Sequence, residues 1–170
     1  MIEALQASGP APVNAEKLMQ FGRFVGSWSL DVIYYDEAGG IRRRTPGEWH
    51  FGWVLEGRAV QDVWIIPPRD RRVAGEPPSG EYGTSLRHYD PDLDAWRSTW
   101  HGPVNRITWP FIARQIGDEM TLERTDEAGD TVRWIFSRIG SDSFHWRAVR
   151  SSDGGDTWRL EQEMHATRMG

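Results

Sequence analysis

The strongest constraint in this chain is a period of two. From Gly26 onward, apolar residues alternate with polar ones in one short run after another. Trp28, Leu30, Val32 and Tyr34 alternate with Ser29, Asp31 and Ile33, and Trp49, Phe51, Trp53 and Leu55 alternate with His50, Gly52 and Val54. Ile107, Trp109, Phe111 and Ala113 make a third set, although Pro110 implies a bulge or an edge there. Met120 and Leu122 follow, then Val132, Trp134 and Phe136, then Phe144, Trp146 and Ala148, and last Trp158, Leu160, Gln162 and Met164. Successive side chains of a strand point to opposite faces, so each run reads as a strand buried on one side only. Turn signals separate the runs. Asp36-Glu37-Ala38-Gly39 and Asp126-Glu127-Ala128-Gly129 are one four-residue turn used twice, and Glu56-Gly57, Asp90-Pro91, Ile139-Gly140 and Asp153-Gly154-Gly155 mark others. The count is about ten strands joined mostly by tight turns, so neighbours in sequence pair in order. A meander of that length avoids two raw edges by closing on itself. The predicted fold is all-β, an antiparallel up-and-down barrel of about ten strands with a short N-terminal helix.

The N-terminal part reads differently. Residues 1–12 are rich in Ala, Pro and Gly and predict a loose arm. Residues 13–170 then form one domain, a size that suits one core. Asn14 is placed to cap a helix over Ala15 to Gly22, with Leu18 and Phe21 on one face. So short a helix must pack on something larger to persist. Pro67 to Gly80 is the one long connection, either a lid or a plain surface insertion.

Composition narrows the function. The chain carries ten Trp, each able to bury roughly 150–250 Å². That exceeds what closing a small barrel requires and predicts a cavity with aromatic walls. A net charge of -5, with the arginines scattered among acids, argues against nucleic acid as a partner. There is no Cys, so disulfides and thiolate chemistry are excluded. No apolar run approaches a membrane span and no signal peptide is visible, which makes a cytoplasmic location the default.

Phe24-Val25-Gly26-Ser27-Trp28 resembles the G-x-W opening of the calycin superfamily, the lipocalins and their relatives. The resemblance implies a Gly that lets the chain approach the barrel end, a Trp that plugs the base and a C-terminal Arg stacked on that Trp, here Arg168. Residues 18–168 also resemble bacterial lipocalin-like proteins of the DUF1579 type. The segments that carry this likeness are Leu55-Glu56-Gly57-Arg58-Ala59-Val60-Gln61-Asp62, Tyr89-Asp90-Pro91 through Trp96, and Ser143-Phe144-His145-Trp146. The likeness implies the fold and transfers no activity. Ser151-Ser152-Asp153-Gly154-Gly155-Asp156-Thr157-Trp158 matches the Asp-box of sialidases, a structural hairpin with its Trp packed inward, and reads as turn chemistry.

Register arguments select the inward polar groups. A two-residue turn at Glu56-Gly57 pairs Leu55 with Arg58, Trp53 with Val60, Phe51 with Asp62 and Trp49 with Trp64. Arg58 and Asp62 then join the aromatic face, whereas a slip of one residue would turn Gln61 inward instead. The hairpin at Asp90-Pro91 pairs Tyr89 with Trp96, Arg87 with Ser98 and Ser85 with Trp100, which turns Arg87 inward as well. Buried charge is unfavourable unless paired, so Asp62 and Arg87 are either a structural ion pair or a polar anchor in the cavity.

The leading expectation is binding of a small apolar or aromatic molecule. Trp53, Trp64, Trp100, Trp109, Trp134 and Trp146 form the walls, and Arg58 and Gln162 supply polar contacts. The alternative is an isomerase, cyclase or hydratase acting on a hydrophobic metabolite, with Asp62 as general acid or base and Arg87 stabilising developing negative charge. A protein-interaction module acting through an outer face ranks below both, because the outward residues are mostly polar or charged. The five histidines show no H-x-H or H-x-x-x-H spacing, so no metal site is expected. Nitrobindin-type barrels carry haem on a His near the C-terminus. His165 lies there, but on the outward side of its strand, which makes haem the lowest-ranked alternative and no cofactor the expectation. The partner is thus a small hydrophobic or aromatic molecule, with neither nucleic acid nor membrane involved. The sequence leaves room for a homodimer.

Overall fold

The structure, a computed structural model, describes residues 2–74 and 80–170. Ten strands follow one helix: α1 (Ala15–Gly22), β1 (Gly26–Tyr35), β2 (Ile41–Val54), β3 (Ala59–Ile66), β4 (Glu81–Asp90), β5 (Ala95–Gly102), β6 (Ile107–Ile116), β7 (Glu119–Thr125), β8 (Thr131–Ser137), β9 (Ser143–Ser151) and β10 (Arg159–Arg168). Each strand pairs antiparallel with the next, and β1 pairs with β10 to close the barrel. The period-two reading therefore gives the architecture. Closure removes both sheet edges. Among the described residues, no helix is long and apolar enough to cross a membrane.

The turns behave as their chemistry dictates. In the two repeated turns, Oδ1 of Asp36 accepts from the amides of Ala38 and Gly40, and Oδ1 of Asp126 accepts from those of Ala128 and Asp130. Gly39 and Gly129 supply the left-handed residue, at φ 84° and 88°. In the third Asp turn, Asp153 accepts from the Thr157 amide and hydroxyl. Its Trp158 does not join the interior. It lies half-buried, with the Arg133 guanidinium 4.3 Å above its ring. Pro110 sits within β6, but the β6–β7 ladder begins only at Ile112, so its missing N–H interrupts nothing on that side.

The helix forms where its apolar spacing places it and buries Leu18 and Phe21 across one end of the barrel. Asn14 does not cap it. Its backbone is left-handed and its side chain makes no cap hydrogen bond. Phe21 meets Trp96 edge-on at 4.9 Å and Phe136 at 5.9 Å. Trp28 is fully buried, its indole N–H donating to the Phe24 carbonyl at 2.7 Å. The Arg168 guanidinium stacks 4.1 Å over the Trp28 ring and donates to the Val25 carbonyl. Gly26 is required beneath it, because a Cβ there would lie 2.4 Å from Arg168 Nη1 at a φ of 131°. The residues before α1, whose composition suggests a loose arm, are hydrogen-bonded to this end. The Ala7 amide donates to the Trp53 carbonyl, Leu55 to Leu5, and Ala11 to Gly57.

Candidate functional site

With one end plugged, the barrel interior opens at the other. A cavity of about 530 Å³ opens between β1, β2, β3, β4, β5, β6, β8, β9 and β10. Trp64, Trp100, Trp109, Trp134 and Trp146 line it, with Gln162. Their rings form a continuous edge-to-face chain. Trp64 meets Trp100 at 5.9 Å, Trp100 meets Trp134 at 6.1 Å, and Trp134 meets both Trp109 at 6.1 Å and Trp146 at 5.5 Å. The ring quadrupole favours such edge-to-face contacts over flat stacking.

Two expected wall residues are elsewhere. The β2–β3 connection spans four residues rather than two, because Val54 pairs with Ala59 and Leu55, Glu56 and Gly57 all take positive φ. Arg58 is therefore a turn residue at the plugged end, exposed and paired with Glu56 at 3.4 Å. Both turn lengths have the same parity, so the pairs Trp53–Val60, Phe51–Asp62 and Trp49–Trp64 hold as read. Trp53 does face inward, but at the wrong end. It packs against α1 so closely that a Cβ on Gly22 would lie 2.3 Å from its ring, and it does not line the cavity.

Asp62 and Arg87 both point inward and meet, with Asp62 Oδ2 2.6 Å from Arg87 Nη2 and side-chain exposures of 0% and 1%. Gln61 faces out and donates to Thr84. The pair lies one inward position deeper than the cavity-lining Trp64 and Ser85 on the same two strands. Oδ1 of Asp62 accepts from the Ser85 amide at 2.9 Å. The Arg87 guanidinium lies against the rings of Phe21 at 5.0 Å and Phe51 at 5.7 Å. Neither charged group lines the cavity, so the catalytic roles considered for Asp62 and Arg87 lack contact with the space a substrate would occupy. The arrangement is that of an internal ion pair tying β3 to β4 under the plug.

The cavity has residues that the sequence reasoning missed. Trp49 is one, although its register partner Trp64 was a direct pointer to it. Its ring sits on Phe136 at 5.4 Å and Phe51 at 4.9 Å and forms the floor of the cavity. The indole N–H groups of Trp49 and Trp146 are buried and have no hydrogen-bond partner among the described residues. At the rim, Arg42 and Arg43 flank the Tyr34 ring at 5.9 and 5.8 Å. Glu81 also lines the rim. Burial pushes its carboxyl up, but four donors outweigh that and hold it below the ordinary glutamate value: the amides of Val104, Asn105 and Tyr82 and the Asn105 side chain. Glu81 so fixes the β5–β6 turn beside the opening. No motif marks it, since it follows directly on an irregular connection. Of that connection, residues 75–79 lie outside the described residues, so its reading as a lid falls partly outside them too.

None of the five histidines lines the cavity. His165 is exposed on the outer face, as its alternation predicts, which leaves the haem alternative without an interior ligand on that strand. No protein-family model matches this chain and no curated protein matches it in sequence, so the barrel and its cavity are the ground on which its function is argued.

Proposed function

We propose that the barrel binds one small molecule with an apolar or aromatic body and a hydrogen-bond acceptor at its inner end. The observation that carries this reading is the tryptophan-walled cavity with two unpartnered indole donors, Trp49 and Trp146, near its floor. Ligand pockets typically span ≈ 300–1,000 Å³ with few polar groups, and about 530 Å³ falls inside that range. A buried N–H left without a partner costs about 1–3 kcal/mol, which a carbonyl or carboxylate oxygen on the ligand would recover once either ring turns its N–H into the cavity. Arg42 and Arg43 at the rim add attraction for negative charge on the outer end. The Gly26–Trp28–Arg168 arrangement supports placing the chain with the calycin-like barrels.

A titration followed by tryptophan fluorescence tests the proposal, with 2-acetonaphthone and 2-ethylnaphthalene as probes of equal shape. Saturable quenching by both, with the ketone binding about tenfold tighter for its one added hydrogen bond, is the expected result. Trp146→Phe should narrow that preference while keeping the ring. Absence of saturable quenching by either probe, together with no retained ligand in a native mass spectrum, would overturn the reading.

A further inference from the structure

The outer wall of the barrel holds a second grouping that the cavity does not use. His145 on β9 and His165 on β10 are directly opposite one another, their rings 4.9 Å apart and 35° from parallel. Glu163 stands two residues before His165, hence on the same outer face. Its Oε2 lies 2.8 Å from His145 Nε2. One ligand atom from each of the three residues lies within 4.8 Å of the others. The spacing rules used on the sequence look along one strand or helix, and this grouping crosses two strands.

We infer that His145, Glu163 and His165 bind a divalent transition-metal ion of the zinc type. Two imidazole nitrogens and one carboxylate oxygen are borderline donors that suit Zn²⁺, Co²⁺, Ni²⁺ or Cu²⁺ and disfavour Mg²⁺ and Ca²⁺. Three protein ligands leave a fourth position for water or an outside ligand. The surrounding contacts orient the donors as an outer shell does. Ser137 Oγ lies 3.3 Å from His145 Nδ1, which leaves Nε2 as the coordinating atom. The Tyr35 hydroxyl donates to Glu163 Oε1, which leaves Oε2 for the metal. The other charged neighbours do not close the site. Asp31, opposite His165 on β1, is held by Arg44 through two contacts, and the Arg138 charge acts on His145 from outside the trio. Metal entry shifts the ring proton of neutral His145 from Nε2 to Nδ1, where Ser137 Oγ faces it, and frees Nε2 and Glu163 Oε2 for the ion. The 2.8 Å separation must then open to about 3.3 Å, the edge of a tetrahedron with bonds of about 2.0–2.1 Å. His165 is exposed and free to rotate toward the ion.

Chelator-treated protein titrated with Zn²⁺ by calorimetry, and with Co²⁺ by visible absorption, tests the site. The expected result is one ion per chain and the intense visible bands of low-coordinate cobalt. His165→Ala and Glu163→Gln should each weaken binding by about 100-fold or more, and Tyr35→Phe by about tenfold, as for loss of an outer-shell partner. His88→Ala, on an exposed residue of β4, serves as the control and should bind as the parent does. The side chain of His165 is exposed, so its removal should leave the barrel's circular dichroism intact, and Glu163→Gln keeps the shape of the carboxylate should it not. No binding at millimolar zinc, or equal binding by parent and His165→Ala, would overturn the assignment.

Discussion

Both ends of this barrel are built from tryptophan, and they treat it in opposite ways. At the plugged end Trp28 and Trp96 are fully buried, and each indole N–H has a partner supplied by α1 or the turn after it. Trp28 donates to the Phe24 carbonyl at 2.7 Å and Trp96 to Gln20 Oε1 at 3.0 Å. Toward the open end Trp64 finds only the Met164 sulfur, a weak acceptor, at 3.2 Å. Trp49 and Trp146 find no partner at all among the described residues. Burial of the ring is nearly the same in these cases, since Trp49 and Trp146 are each 4% exposed. What separates these two sets of tryptophans is thus the fate of the single polar atom. The plug partners both of these indole donors, whereas the cavity wall leaves two of its own without a partner among the described residues.

The sharpest break of this comparison is at the ion pair that divides the two ends. Asp62→Asn would leave the Arg87 charge buried without its counter-ion and should destabilise the barrel by about 3–5 kcal/mol in urea unfolding. Quenching by the cavity probes should be unchanged, because Asp62 does not line the cavity. Loss of probe binding by a folded Asp62→Asn protein would join the pair to the site and restore its claim to a chemical role.

A second, smaller effect comes from truncating one ring at each end. Phe21→Ala removes a fully buried ring that touches Trp96 and Phe136 and should cost about 3 kcal/mol without altering probe affinity. Trp109→Ala removes a half-buried ring at the cavity wall and should cost about 1 kcal/mol while weakening probe binding. Equal effects of the two on stability would mean that the open end is packed as tightly as the plug.

The barrel was legible because strand burial writes itself into the sequence with a period of two, and because the Asp-Gly turns state where each run stops. The inward placement of Asp62 and Arg87 was legible for the same reason, since register propagates from a turn in steps that preserve parity. That is why a wrong turn length at Glu56-Gly57 still gave the right partners. It failed only at Leu55 and Arg58, which the longer turn absorbs. Depth along the barrel was not legible. Alternation says which face a residue occupies and not which end, so Trp53 was grouped with Trp64 although α1 covers one and not the other. Glu81 and the His145–Glu163–His165 grouping were hidden for a related reason. Their partners lie across strands or on a turn about 24 residues away, where no local pattern points to them.

The smallest effect concerns acid and a carboxylate near the open end. Glu48, on the outer side of β2, ties down the start of the connection that leaves β3. It accepts from the Arg69 amide at 2.5 Å, from Arg69 Nε at 2.9 Å and from His50 at 2.8 Å. Burial pushes its carboxyl up, but the Arg69 side chain and amide, with His50, outweigh burial and bring it down from the ordinary 4.5 to about 2. A carboxylate lowered in the folded state stabilises that state above its unfolded value and loses the contribution as pH falls through the folded one. The tie is therefore complete above pH 4.5 and released toward pH 2. Glu48→Gln should lower stability by about 1 kcal/mol at neutral pH, the scale of a partly exposed ion pair. The gap between parent and variant, followed by thermal unfolding at a series of pH values, should close between pH 4.5 and 2. Phe21→Ala removes no carboxylate, so its deficit should stay the same across that range and serves as the comparison. A gap for Glu48→Gln that stayed constant with pH would place the acid sensitivity in other carboxylates.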